Sequence, residues 1–325
     1  MTDINLIKEP ISKELKEFEK YYKDSLKGEN FLLKAITEHI YRRKGKQLRP
    51  SFVLLSAKLN GEITDKTYAG ATLIELLHSA TLIHDDVVDN SNYRRGFLSL
   101  KALWGSKIAV LVGDYLLSKG LLLSIDTDNV DLLKITSEAV KEMAEGELLQ
   151  IEKNRKKSIT EDEYIEIISK KTAALLGASG AIGAKSVGCS DETVDKMKSF
   201  GIYIGLAFQI KDDILDISQA AKTGKTFGND IREGKKTLPY IKAYESCKSR
   251  SEIRRTKKIL AKKDKDEEDI KEILEFINKY NGIEQAYKTM YEFKSRALSI
   301  LDSYNDTEIK KALTAFIDYT IERKK

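Results

Sequence analysis

The sequence is poor in residues that break, crosslink or anchor a chain. Proline occurs three times in 325 residues, at Pro10, Pro50 and Pro239, each where a helix can begin. The two cysteines, Cys189 and Cys247, have no metal or redox spacing, which excludes a disulfide framework and fits a reducing compartment. With 3 histidines there is little for a polyhistidine metal centre, and no Ser-His-Asp or Cys-His arrangement is present. No uninterrupted apolar run reaches the ~18 residues of a membrane span, and the amino terminus lacks a signal-like apolar region. A cytoplasmic protein without stable membrane insertion is expected. Basic residues (56) interleave with acidic ones (51), so the net charge of +5 gives no case for nucleic acid. Linkers, low-complexity tracts and solenoid repeats are lacking, which predicts a single domain over residues 1–325.

What remains is rich in Leu, Ile, Lys, Glu and Ala, and reads as all-α. Pro10 opens a first helix that ends at Gly28, and Asn30 caps a second. Pro50 starts a helix stopped by Asn60-Gly61. A helix near Asp65–Asp89 is apolar nearly all round, so it is buried on every side. A second apolar helix covers Ile108–Leu123, with Asp114 beside Gly113 as a buried polar anchor. Thr160 and Glu163 form a capping box. Small residues from Ala173 to Ala184 predict close helix packing. Ser190 begins a long helix, the Gly/Lys segment 222–236 is a candidate mobile loop, and Thr237-Leu238-Pro239 restarts helix.

The buried helix ends in Asp85-Asp86-Val87-Val88-Asp89. Asp85 and Asp89 share a face about one turn apart, where like charges repel and the helix dipole is unfavourable. Alone, the pattern fits a Mg²⁺ site and a solvated acidic helix end equally well. Asp212-Asp213-Ile214-Leu215-Asp216 repeats it near the end of another largely apolar helix. Two such clusters on buried helices are hard to explain as surface charge. If they face each other, they bracket divalent cations and a diphosphate leaving group. His78 lies two turns before Asp85 and Gln209 one turn before Asp212 and Asp213, continuing each polar face.

Gly45-Lys46-Gln47-Leu48-Arg49-Pro50, His78, the DDVVD and DDILD motifs, Arg94-Arg95-Gly96, Gly113-Asp114, Lys171-Thr172, Phe208-Gln209, Gly224-Lys225 and Gly234-Lys235 occur in one order. Taken singly, these read as solvated turns, a core histidine or helix surface. As an ordered set, from Gly45 to about Pro239, they resemble the trans-isoprenyl diphosphate synthases, the polyprenyl synthetase family.

The resemblance implies one large helical bundle, with a central cavity flanked by two aspartate-rich helix ends, and a homodimer. It implies that Asp85, Asp86, Asp89 and Asp212 hold several Mg²⁺ ions against an allylic prenyl diphosphate, with Asp213 and Asp216 supporting or acting through water. Arg94, Lys171 and Lys225 would neutralise that diphosphate. Lys46, Arg49, His78 and Arg95 would bind isopentenyl diphosphate, with Lys235 assisting. Thr172 and Gln209 would turn oxygen dipoles towards a carbocation. The chain would grow down between helices past Thr81, Ala80, Leu77 and Ile74, with Ser118 and Gly120 widening the path. The small Ala80 and Thr81 favour a product longer than farnesyl, resembling the synthases of quinone side chains. Farnesyl or geranylgeranyl diphosphate synthase is the alternative.

A class I terpene cyclase also uses DDxxD, but needs no Lys46, Arg49 and His78 site. A phosphohydrolase built on His84-Asp85 would leave the second aspartate cluster unexplained. The intact motifs exclude, in its simple form, a non-catalytic small subunit.

Overall fold

Apolar residues at three- and four-residue spacing, uninterrupted by proline, form helices throughout. The computed structural model describes residues 3–28, 30–94, 97–126, 129–154, 158–223 and 228–322. In chain order these are α1 (Ile4–Lys8), a 3₁₀ turn (Glu9–Ile11), α2 (Ser12–Ser25), α3 (Phe31–Arg42), α4 (Leu48–Asn60) and α5 (Asp65–Val88). A two-stranded antiparallel ribbon follows, β1 (Tyr93–Arg94) and β2 (Phe97–Leu98). Then come α6 (Leu100–Trp104), α7 (Ser106–Asp126), α8 (Val130–Asn154), α9 (Glu161–Ile168), a π turn (Ser169–Ala173), α10 (Ala174–Ser186) and α11 (Asp191–Thr223). The chain closes with α12 (Asn229–Arg232), α13 (Leu238–Ser246), α14 (Arg250–Leu260), α15 (Glu267–Lys279), α16 (Gly282–Leu301) and α17 (Glu308–Ile321).

Among the described residues, three helices have a long stretch buried on every side: α4 from Pro50 to Ala57, and parts of α5 and α10. Every residue of α5 from Ala69 to Leu77 is buried, as is all of α10 from Ala174 to Ala184. They pack together, with α4, α7, α8 and α11 around them. The small residues of α10 do bring helix backbones together. A Cβ on Gly180 would lie 2.2 Å from the Met197 carbonyl of α11, and one on Gly183 would lie 2.4 Å from the Val53 carbonyl of α4. The buried Ser56 hydroxyl donates to the Gly180 carbonyl at 2.7 Å. A second apolar cluster, including Ile217, Ile231, Ile259, Ile273 and Phe276, sits under α13, α14 and α15.

Helix ends follow local chemistry. Asn30 Oδ1 accepts from Leu33 N at 2.8 Å, and Thr160 and Glu163 cap each other reciprocally. Pro10 instead falls in the 3₁₀ turn, and the helix that Pro50 was to open begins two residues earlier, at Leu48. Pro50 is tolerated there because first-turn N–H groups lack intrahelical partners anyway.

Helix α7 is longer than its sequence pattern suggests. Its 21 residues have a mean hydropathy of 1.7 in their most apolar stretch, enough by length and composition to cross a membrane, yet only 33% of that stretch is buried. Asp114 and Lys119 interrupt the run without lowering its average much. One face packs on α5; the other leaves Leu111, Leu122 and Ile125 more than half exposed.

The crowding around α10 gives a direct test. Gly183→Ala should destabilise the protein by about 1–3 kcal/mol, the usual range for overpacking. The effect should appear as a lower urea midpoint at unchanged slope. An unchanged midpoint would mean that α4 and α10 are not in contact through this glycine.

Candidate active site

The three carboxylates ending α5 meet three different environments. Asp86 is buried and accepts from Arg94 Nε of β1 at 2.7 Å. Asp89 is exposed at the helix end. Asp85 is reached by solvent but has protein around it, and this partial desolvation raises its pKa. Lys171 and Arg94 pull it back down, while Asp89 and Glu147 push it up. His84 turns away towards α7, with Nε2 3.3 Å from both the Val110 carbonyl and Asp114 Oδ1. A Cβ on Gly113 would lie 2.1 Å from that nitrogen, so glycine is required for His84 to fit. Asp114 is therefore exposed beside His84, not the buried anchor its neighbour suggested.

Lys171 and Thr172 sit on the π turn between α9 and α10, and point to different helices. Lys171 Nζ reaches Glu147 at 2.5 Å and Gln150 Oε1 at 3.3 Å, both on α8. The Thr172 hydroxyl donates to Gln209 Oε1 on α11 at 3.0 Å. Gln209 Nε2 donates to Asp213 Oδ1 at 2.9 Å, and the buried Tyr164 hydroxyl of α9 donates to Asp213 Oδ2 at 2.7 Å. Asp213 is thus engaged at both oxygens by protein donors, a setting compatible with the supporting role the resemblance gives it. Burial first, then the charge of Asp230, pushes its pKa up to about 7, against the two hydrogen bonds. Asp216 is raised by burial and by Asp230, and held back by backbone N–H groups of Asp230, Asn229 and Gly228.

Lys235 pairs with Asp230 at 3.3 Å and Glu233 at 2.6 Å. Burial pulls its pKa down, but these two carboxylates more than reverse it. Lys235 therefore belongs to the acidic cluster near Asp216.

On the other side of Asp86 lies a basic cavity of about 870 Å³. Lys46, Arg49 and His78, which the resemblance assigns to isopentenyl diphosphate, line it together with Arg43 and Lys44, and so does Arg94, which the resemblance assigns to the allylic diphosphate with Lys171 and Lys225. Arg49 Nη1 lies 3.0 Å from His78 Nε2. A guanidinium can only donate, so this nitrogen carries the imidazole lone pair. Lys46 Nζ stands 5.2 Å from the centre of the Tyr319 ring. Arg43 ties the ribbon down, with Nη1 3.2 Å from the Leu98 carbonyl and its guanidinium 4.6 Å over Phe97.

Gln47, at the N-cap of α4, has a φ of 54°, a left-handed conformation uncommon for a residue with a side chain. Its amide Nε2 is buried in the cavity lining without a protein partner. Arg95 and Lys225, with Gly96 and Gly224, lie outside the described residues.

Ile74, Leu77 and Ala80 are buried in the core, and the half-buried Thr81 donates its hydroxyl to the His78 carbonyl at 3.0 Å. None of the four lines the basic cavity. Gly120 does not widen a path: Leu73 closes on it, 2.8 Å from where a Cβ would be. Ser118 is exposed and faces away from the core.

Among the described residues, no three carboxylate, histidine or cysteine groups converge as a metal cage. Asp85, Asp89, Asp212 and Asp216 nevertheless supply hard oxygen donors, two of them raised in pKa. That donor set fits Mg²⁺, which keeps waters and substrate oxygens in its shell instead of demanding an all-protein cage.

The sequence pattern overlooks Tyr164, Glu147, Gln150 and Asp230. Asp230, five residues before Lys235, carried a usable signal: with Glu233 it is one of two acids in an otherwise basic loop.

Comparison with known proteins supports the same grouping. The profile of the polyprenyl synthetase family matches residues 30–277. The chain is 34% identical to the all-trans-nonaprenyl-diphosphate synthase (geranyl-diphosphate specific) of Rhodobacter capsulatus, over 97% of this chain and 96% of that protein. It is 33% identical to the geranylgeranyl diphosphate synthase of Sulfolobus acidocaldarius, over 95% and 99%. The crystal structure of a polyprenyl synthase from Caulobacter crescentus, complexed with calcium and isoprenyl diphosphate, superposes with a TM-score of 0.89 at 29% identity, covering 100% of this chain and 99% of that one. The chain belongs to the polyprenyl synthetase family and is, with it, a prenyltransferase.

Proposed function

We propose that the protein is a Mg²⁺-dependent polyprenyl diphosphate synthase, joining isopentenyl diphosphate head-to-tail to an allylic prenyl diphosphate. The observation that carries this reading is the pairing of two unlike sites. Lys46, Arg49, His78 and Arg94 line a basic cavity that Asp86 also borders, while Asp85 lies within electrostatic reach of Lys171, whose neighbour Thr172 bonds the Gln209–Asp213 pair of α11. An ionising enzyme with one substrate, such as a terpene cyclase, has no use for the first.

Lys46, Arg49 and Arg95 would hold the isopentenyl diphosphate, with His78 fixing the Arg49 guanidinium. The unpaired Gln47 amide hydrogen is available to the same anion. Asp85, Asp89, Asp212 and Asp216 would carry Mg²⁺, which when bound neutralises the allylic diphosphate and makes it a better leaving group. Asp86 serves mainly to seat Arg94, and Asp213 to orient Gln209. Lys171 and Lys225 would add charge at the same diphosphate, with Lys171 exchanging Glu147 and Gln150 for phosphate oxygens.

The allylic C–O bond breaks with its electron pair leaving on diphosphate. The isopentenyl double bond then supplies the pair for the new C–C bond, and a proton is lost to the departed diphosphate. Around the transient cation the protein contributes the oxygen dipoles of Thr172 and Gln209.

The relatives differ in product, nonaprenyl in one and geranylgeranyl in another. For this chain we favour a long product, for a quinone side chain, because the position five residues before Asp85 is Ala80. Farnesyl or geranylgeranyl diphosphate is the shorter alternative.

A homodimer through α7 suits the remaining apolar surface. Leu111, Ser118 and Ile125 repeat every seven residues on its outward face, with Leu121 and Leu122 beside them, all exposed. A twofold axis at Ser118 would set Leu111 of one copy against Ile125 of the other, the small serine letting the helices approach.

Incubation with labelled isopentenyl diphosphate, Mg²⁺ and geranyl or farnesyl diphosphate should give longer linear diphosphates. No incorporation, or a cyclic hydrocarbon, would remove the reading. Chelation should abolish incorporation and Mg²⁺ restore it. Arg49→Ala should raise KM for isopentenyl diphosphate about ten- to hundredfold, the worth of charge-assisted hydrogen bonds. It should leave KM for the allylic substrate unchanged; equal effects on both would contradict the assignment of the cavity. Ala80→Phe should shorten the product, and an unchanged length distribution would sink the role given to Ala80. Leu111→Glu with Leu122→Glu should convert the dimer to a monomer in sedimentation; an unaltered mass would move the interface elsewhere.

A further inference from the structure

Tyr164 and Thr172 lie on one continuous helical rod, eight residues apart, with the π turn between them. In a regular α-helix, residues seven apart share a face and the eighth is about 100° further round. The π turn takes up about one extra residue. It therefore returns Thr172 to the face of Tyr164 and turns Lys171 aside, towards Glu147 and Gln150 on α8. Tyr164 and Thr172 then meet two residues one turn apart on α11. Tyr164 donates to Asp213 at 2.7 Å, Gln209 donates to Asp213 at 2.9 Å, and Thr172 donates to Gln209 at 3.0 Å. With the π turn, these four side chains close a ring.

The ring has a fixed direction. An amide can turn end for end, and Gln209 alone could offer Thr172 either its oxygen or its nitrogen. Asp213 decides, because its carboxylate accepts at both oxygens and draws the Gln209 nitrogen towards itself. The Gln209 oxygen then faces Thr172, whose hydrogen is committed to it. The Thr172 oxygen is left to present lone pairs, the sign of dipole that a cation needs. Tyr164 occupies the second Asp213 oxygen and holds that carboxylate in line.

We propose that Tyr164 is a positioning residue for prenyl transfer: through Asp213 and Gln209 it fixes the place and polarity of the Thr172 hydroxyl beside the forming carbocation. This rests on the prenyl-transfer reading above. Tyr164 is buried, spends its hydroxyl hydrogen on Asp213 and does not line the basic cavity, so on this proposal its effect belongs to the chemical step and reaches it only through Thr172.

A double-mutant cycle tests this on the full-length enzyme with saturating Mg²⁺. Tyr164→Phe removes one oxygen and should lower kcat about tenfold, with KM for both substrates within about twofold of wild type. Thr172→Val should lower kcat at least as far, and adding Tyr164→Phe to it should cost nothing more. Effects that multiply in the double variant, or an unchanged kcat in Tyr164→Phe, would overturn the proposal.

A second variant covers the case in which Tyr164→Phe folds poorly. Asp213→Leu removes both acceptors, frees the Gln209 amide to turn, and should lower kcat at an unchanged half-saturating Mg²⁺ concentration; an unchanged kcat would overturn the proposal. A raised Mg²⁺ requirement would make Asp213 a metal ligand and overturn the proposal. If wild-type enzyme incorporates no isopentenyl diphosphate, the prenyl-transfer reading itself fails; if it does and the cycle is multiplicative, only the role of Tyr164 fails.

Discussion

Carboxylates gathered at the ends of apolar helices repel one another, and the organisation of the cleft follows from how that repulsion is distributed. Asp86 is buried against Arg94, and Asp213 is buried between Tyr164 and Gln209. Asp216 leans on backbone N–H groups at the start of α12. Each solution satisfies one group and leaves its neighbours less relieved. Asp85, Asp213 and Asp216 are all raised in pKa, with burial the largest cause at each.

The positive groups are segregated by the same logic. Lys46, Arg49 and Arg94 line the basic cavity, with Asp86 as its anionic counterpart. Lys171 and Lys235 are held by acids of the other side, Lys171 by Glu147 and Lys235 by Asp230 and Glu233. A diphosphate entering the basic cavity meets cations already in place, whereas one approaching the aspartates competes with existing ion pairs.

The sequence made most of the fold and half of the site legible, because those features are local. An all-apolar α5, the Asn30 and Thr160 caps and the small residues of α10 each state their environment within a few positions. The basic ligands were legible as an ordered set, and Lys46, Arg49, His78 and Arg94 do meet in one cavity. Direction around a helix was harder. Asp114 and Ser118 read as inward residues of an apolar helix, yet α7 has an exposed side, and both fall on it. Tyr164 was invisible because its partner lies 49 residues away, and nothing near it in sequence demands a hydrogen bond. Gln47 was hidden for another reason: its left-handed backbone follows from the turn it ends, not from its side chain.

The π turn shows most clearly why the rest could not be read. Its residues, Ser169 to Ala173, have no composition that favours a wide turn. What admits it lies on other helices. A Cβ on Gly146 of α8 would stand 2.6 Å from the Lys171 nitrogen, and one on Gly205 of α11 would stand 2.6 Å from the Ala173 Cα. Each glycine weakens its own helix by about 1 kcal/mol relative to alanine. Each also opens the space that lets the rod between them widen by one residue. Lys171 and Thr172, adjacent in sequence, consequently face different helices: the lysine the acids of α8, the threonine the amide of α11. A regular helix in the same place would turn Lys171 towards α11 and carry Thr172 away from Gln209. The division of charge from dipole at this site is therefore encoded in the absence of two side chains, one 25 residues before the lysine and one 33 residues after the threonine whose roles they separate.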